Sequence, residues 1–310
     1  MKKLWDQAGM LIVLAVLVGV CFATVPNFGH WDNIKNLLLS VSLVGVVACT
    51  MLFCLAGGDF DLSVGSTVAI SGVLAALIVN KTHNAALALG VPMLVGIVIG
   101  TVNGFFIAKV GINALITTLA TMQIVRGFAY LVCNGSSVGV SDASLTSMGG
   151  WNLFGIQGPV WYMAAFFILF GYLLNRTIFG RNTLAVGGNA ESARLAGISV
   201  VKTKIWIFLL QGAVAAFAGV ILAARVSSGN PDTQKGLELT VISSCVLGGV
   251  SLTGGVGTIS GTIVGVLILG IVQNAMNLLN IEQFWQQVAS GVVLLAAVML
   301  DRLKNRRRTA

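Results

Sequence analysis

The stretch Gly187-Gly188-Asn189-Ala190-Glu191-Ser192-Ala193-Arg194-Leu195-Ala196-Gly197-Ile198 reads as a short capped helix built for recognition. Asn189 is a good N-cap, and Glu191 and Ser192 fall in the first turn, where the helix dipole favours an acid. Ala190 to Ala196 gives about two turns, and Gly197 can end them. Such an amphipathic helix docks into another protein's groove, or it merely lies at an interface. A second polar motif, Leu55-Ala56-Gly57-Gly58-Asp59-Phe60-Asp61-Leu62-Ser63-Val64-Gly65-Ser66, sets two carboxylates beside a glycine break. Asp61 or Ser63 can cap the following helix; Asp59 and Asp61 mark either a structural break or a gate. A weaker echo is Leu247-Gly248-Gly249-Val250-Ser251-Leu252-Thr253-Gly254-Gly255-Val256-Gly257. Low complexity or a true internal repeat could produce it.

Isolated polar residues also occur inside apolar runs. Arg126 costs about 2.5–3.5 kcal/mol at the centre of an inserted helix, so it faces a watery path or snorkels to the nearby end. Asn103, Gln123, Gln211, Gln273, Asn274 and Asn277 can hydrogen-bond a polyhydroxylated solute or glue helices together. Catalysis finds no support. No G-x-x-x-x-G-K-[ST] motif occurs, and Gly254-Gly255-Val256-Gly257 lacks the lysine that would follow in a phosphate loop. No hydrolase elbow and no flanking pair of carboxylates stands out. Cys21, Cys49, Cys54, Cys133 and Cys245 show no metal-ligand spacing and read as packing residues. His30 and His83 are too far apart to begin a metal site.

The elements that must position these groups are membrane spans. Of 310 residues, 56% are apolar and only 9% charged, against roughly 25% charged in soluble domains. The net charge of +8 is concentrated at the ends of apolar runs, a positive-inside pattern that excludes a nucleic-acid groove. A bilayer core about 30 Å thick takes about 20 helical residues. Candidate runs are Gly9–Val25, Leu37–Ala56, Leu62–Val79, Ala85–Ala108, Ile112–Val132, Val160–Leu174, Ile205–Ala224, Gly261–Leu279 and Val288–Leu300. Arg176, Arg181, Arg194, Lys202 and Lys204 place one connection in the cytoplasm, as do the basic tail and Lys2 with Lys3. An even number of crossings between Lys204 and Asp301 then requires Leu239–Val250 to cross too. The expectation is an all-α integral membrane protein, a polytopic bundle of about ten transmembrane helices with both termini cytoplasmic. Residues 1–310 form one domain, with a cytoplasmic connection at 179–204, an external loop at 133–159 and a basic tail at 301–310.

Three motifs, Leu55–Ser66, Gly180–Ile198 and Val246–Gly261, resemble in sequence and order the permease subunits of ribose-type bacterial ABC sugar importers. Ile112–Gly127, Met51–Leu62 and Ala275–Ile281 are similar to the branch of that family that carries L-arabinose. The sister branches for ribose, xylose, galactose and allose share much of the framework. The resemblance implies a multi-pass inner-membrane homodimer, a cytoplasmic ATPase subunit holding ATP and Mg, and a periplasmic sugar-binding protein. No cofactor is implied on this chain. It also implies that Glu191, Ser192, Ala193, Arg194, Leu195 and Gly197 form the ATPase-coupling helix, with Ser192 where the middle alanine of an EAA motif is common. For the translocation path the candidates are Asp59, Asp61, Asn103, Gln123, Arg126 and Asn274. An ion-coupled secondary transporter is the competing class, and a membrane scaffold a third. Both are weaker, the first because the acids lie at the ends of runs and the second because polar groups recur inside the spans.

Overall fold

The computed structural model describes residues 2–282, 284–292, 295 and 299, with side chains from Gly9 onward. The predicted run Val288–Leu300 lies partly outside the described residues, and the basic tail 301–310 lies wholly outside them. The described residues are mostly helical. Lys2–Thr24 (α1) leads into Trp31–Ala56 (α2), Val64–Thr82 (α3), Ala85–Phe105 (α4) and a π-helical turn, Phe106–Val110. Ala114–Val132 (α5) follows, then a loop with β1 (Val138–Gly139), α6 (Ala143–Gly150), β2 (Asn152–Leu153) and β3 (Ile156–Gln157). Next come Gly158–Arg176 (α7), Ile178–Gly188 (α8), Ala190–Leu195 (α9) and Val200–Val226 (α10). The remaining elements are β4 (Ser228–Gly229), α11 (Leu237–Leu247) and α12 (Ile259–Leu278), and residues 284–292 are again helical. Among the described residues, seven helices are long and apolar enough to cross a membrane: α2, α3, α4 with its π turn, α5, α7, α10 and α12.

Burial separates these helices. From Gly45 to Gly57, α2 is buried on every side, as expected of a helix apolar all round at the centre of a bundle. In contrast, α4, α5 and α7 expose large apolar side chains such as Leu94, Ile116, Leu131 and Ile168. Glycine sets the closest helix pair. Gly96, Gly100 and Gly104 repeat every four residues along one face of α4. A Cβ at Gly100 would lie 2.1 Å from the Phe208 carbonyl oxygen of α10, and one at Gly96 2.4 Å from that of Gly212. Helices in lipid associate through such backbone approach because no hydrophobic force separates apolar helix from apolar lipid.

The segment expected to cross as Leu239–Val250 takes another form. Its helix, α11, has 11 residues, about 16 Å at 1.5 Å each, roughly half the bilayer core. The chain before it is a two-residue strand followed by turns through residues 231–236. After α10 ends in left-handed Ser227, β4 pairs with β1, and the backbone then follows α3 toward that helix's start. A Cβ at Gly229 would lie 2.5 Å from the Gly72 carbonyl, and one at Gly65 2.5 Å from that of Gln234. Non-helical backbone thus runs beside the first half of a spanning helix. Gly229, Pro231 and Gly236 explain why no helix forms there: Pro lacks the donor that a helix needs, and Gly236 sits at φ 84°.

The connection between α5 and α7 is packed rather than free. Gly149 of α6 sits on the end of α10, where a Cβ would lie 2.5 Å from the Arg225 nitrogen. Asp142 caps α6, accepting from the Ser144 nitrogen at 2.8 Å, and lies 2.7 Å from His83 Nδ1 after α3. The Ser144 bonds and then His83 hold its carboxyl low, at about 2.

Candidate functional site

The three polar motifs, far apart in the chain, converge on one point. The Gly255 nitrogen donates to the Ala56 carbonyl at 2.8 Å, which joins the third motif to the first. Gly187 wedges between them: a Cβ there would lie 1.8 Å from the Ala56 oxygen and 2.8 Å from the Gly255 nitrogen. Asp59 forms an ion pair with Lys204 of α10 at 2.7 Å, its side chain 12% exposed and that of Lys204 19%. Phe53 of α2 stacks on Phe179 of α8, ring centroids 5.6 Å apart. The connection 179–204 is therefore fastened to the centre of the bundle by glycine backbone, one ion pair and one aromatic stack. The echo between the first and third motifs extends to geometry. Both helices end with N–H groups at Gly57/Gly58/Asp59 and Gly248/Gly249/Val250 bonding back four, three and five residues, with Gly58 and Gly249 left-handed. The end of α9 closes in the same way, so this is a common helix stop rather than a mark of duplication.

Beside this junction stands α9. The Asn189 side chain accepts from the Ser192 nitrogen at 2.8 Å, as the sequence predicts, and Gly197 takes φ 81° past the helix end. Ala193 is the buried anchor, while Ser192 is exposed. Glu191 and Arg194 pair at 2.6 Å on the open side, and Leu195 is 78% exposed. An apolar knob flanked by a fixed ion pair suits a complementary groove.

Asp61 and Asn103 belong to a second, fully buried cluster. Asp61 Oδ1 accepts from the Ser63 nitrogen at 2.8 Å and from its hydroxyl at 2.6 Å. Asn103 Nδ2 donates to Ser63 Oγ at 3.0 Å, and Thr121 Oγ1 donates to Asn103 Oδ1 at 2.7 Å. This chain ties the connection 57–63 to α4 and α5. Burial pushes the Asp61 carboxyl up to about 6 although both Ser63 bonds pull it down. A folded-state pKa above the unfolded one means that its contribution to stability is complete below about pH 4 and lost as pH rises through 6, at most about 3 kcal/mol. Asp61→Asn is therefore expected to flatten the decline in thermal stability between about pH 4 and 7, measured on the purified protein in detergent.

Arg126 and Gln123 fall on a third site. Arg126 donates to the carbonyls of Pro231 at 2.5 Å and Thr233 at 2.8 Å, so its charge holds the turn segment rather than snorkelling. Tyr130 donates to Asp232 at 2.6 Å, and Asp232 also pairs with Lys235. Gln123, Asp232 and Lys235 are exposed along this side of α5 and the turn segment. Arg126→Met is expected to lower transport about tenfold and to speed hydrogen exchange of amides 232–236, since charge-assisted bonds of about 1.5–3 kcal/mol are lost. Asn274 joins none of these clusters. It exchanges side-chain hydrogen bonds with Asn33 at 2.8 and 3.0 Å, binding α12 to α2.

Known proteins identify the framework. The family described as branched-chain amino acid transport system / permease component matches residues 33–298. The L-arabinose transport system permease protein AraH of Escherichia coli (strain K12) is 56% identical over 98% of this chain and 93% of its own length. The L-arabinose ABC transporter permease protein AraH of Azospirillum brasilense is 50% identical over 99% and 91%. The ribose import permease protein RbsC of E. coli (strain K12) is 39% identical over 95% and 93%. The chain belongs to the ABC sugar permease family. No solved structure matches it.

The permease thus brings together its coupling candidates but splits its path candidates among four places. Sequence reasoning missed Lys204 as the partner of Asp59, and it missed Tyr130, Asp232 and Thr233 around Arg126. One signal was available: Gly229-Asn230-Pro231 is a turn cluster that argues against helix just before α11. The Lys204 pairing had no local signal, because 145 positions separate the partners.

Proposed function

We propose that this permease moves L-arabinose inward across the bacterial inner membrane, as the membrane part of an ATP-driven, binding-protein-dependent importer. The 56% identity to the E. coli L-arabinose permease over nearly the whole chain carries this reading. The chain crosses ten times: α1, the seven long helices, the turn segment with α11, and the run Val288–Leu300. Both termini are cytoplasmic and residues 1–310 act as one domain. A separate ATPase subunit, holding ATP and Mg, docks on Glu191, Arg194 and Leu195 of α9. A loaded sugar-binding protein docks on the outer loop 133–159. Two copies of the permease pair so that the face of Gln123, Asp232 and Lys235 meets its counterpart. Non-helical backbone and charges at membrane depth are tolerated only against protein or a water-filled path, so this face cannot meet lipid. Alternating access follows, the α9 helices carrying ATPase closure through the glycine junction into the spans.

Uptake of labelled L-arabinose, in cells lacking other pentose transporters, is expected only when permease, ATPase and binding protein are all present. Uptake by the permease alone would sink the importer reading. Uptake of ribose, xylose or galactose in place of L-arabinose would move the sugar to a sister branch. Arg194→Glu and Gly197→Pro are expected to abolish uptake with the chain still in the membrane.

A further inference from the structure

A cavity of about 180 Å³ lies where the turn segment meets α3 and α10. Gly72, Gly219 and Gly229 line it with bare backbone at their close approaches: a Cβ on them would lie 3.1 Å from the Gly219 oxygen, 2.2 Å from the Val68 oxygen and 2.5 Å from the Gly72 oxygen. Its polar lining is Ser228, Asn230 and Thr233, with the remainder aliphatic and no charged side chain. The Ser228 and Thr233 hydroxyls and the Asn230 Nδ2 make no hydrogen bond within the described residues. Asn230 uses only its Oδ1, which accepts from the Asp232 nitrogen at 2.8 Å. Polar groups left without protein partners are satisfied by water or by a ligand. At about 30 Å³ per water the space holds roughly six waters, or one small ring that displaces them.

We propose that this cavity is a transient resting site for a neutral, single-ring polyhydroxylated solute on its way through the permease. The inference rests on the sugar-permease reading and names a site within it. Neutrality follows from the lining, because a charged solute would find no counter-ion there. The mixed wall suits a sugar, with C–H faces against the aliphatic side chains and hydroxyls toward Ser228, Asn230 and Thr233. None of the six residues expected from sequence to form the path lines this cavity. Arg126 acts on it at one remove, by holding the carbonyls of Pro231 and Thr233 and so fixing one wall.

The test places a thiol in the wall. The five native cysteines are buried and give little background. Ser228→Cys permease, reconstituted with its ATPase and binding protein, is treated with a small hydrophilic thiol reagent with and without L-arabinose. Thr233→Cys serves if that variant does not assemble. L-arabinose is expected to slow modification, a neutral amino acid at equal concentration is not, and adding Asn230→Ala raises the sugar needed about fivefold. An unchanged rate in vesicles that import L-arabinose overturns the site and leaves the permease reading intact. Protection by sugar without ATP-dependent import by the unaltered chain would keep the site and overturn the importer reading.

Discussion

Gly187→Ala is expected to abolish sugar uptake, while Gly188→Ala is expected to leave it close to normal. The two glycines are neighbours at the end of α8 with opposite surroundings. A methyl group at Gly187 would lie 1.8 Å from the Ala56 carbonyl oxygen, whereas one at Gly188 meets nothing nearer than 3.9 Å. The obstructing atoms at Gly187 are backbone of the first and third motifs, which a rotamer change cannot move aside. Overpacking of this kind costs about 1–3 kcal/mol, occasionally more, and here it separates the three segments joining α9 to the bundle. Binding-protein-stimulated ATP hydrolysis in the reconstituted complex supplies the mechanism. Gly187→Ala should keep basal hydrolysis and lose its coupling to transport. Normal coupling in that variant would show that the junction does not transmit the ATPase movement.

Lys204→Met is expected to be the most damaging single change to the α9 end of the bundle, and Asp59→Asn on the same chain is expected to restore much of what it loses. Removing one partner of a buried ion pair leaves an uncompensated charge and costs about 3–5 kcal/mol. The residual exposure of both side chains puts this pair at the lower end. Burial already raises the Asp59 carboxyl above its ordinary value, with Lys204 offsetting part of that rise. Without Lys204 it rises further. The direction of the pH effect then follows, because a raised folded-state pKa means stability that is present in acid and lost as pH rises. The Lys204→Met variant should therefore unfold more readily as pH increases and recover in mild acid, and the double variant should lose that dependence. Thermal unfolding in detergent across pH reads both outcomes. A double variant no better than Lys204→Met alone would mean that the lysine acts through something other than Asp59.

The short helix α9 was legible down to its cap because its signals are local. Asn189, Glu191 and Gly197 each act within one turn of their own position, and Asn189 and Gly197 sit in the geometry that their types favour. The long spans were legible for a similar reason, since apolar runs such as Val200–Val226 need no partner to declare themselves. The path candidates were not. Asp61, Arg126 and Asn274 look alike in the sequence, each a polar group near or inside an apolar run. One ends in a buried hydrogen-bond chain, one on the backbone of a turn segment, and one in an amide pair between helices.

What the sequence determined by itself was the class of protein, the positions of its long helices, the capped connection and the family, because composition, periodicity and short motifs are written into consecutive residues. Tertiary structure alone decided that Gly187, Ala56 and Gly255 share one point, that Lys204 answers Asp59, and that the turns before α11 pack along α3. Each of those outcomes depends on which groups folding brings together across tens to hundreds of positions. In lipid the deciding term is backbone approach and polar satisfaction, and neither can be read from a single stretch of chain.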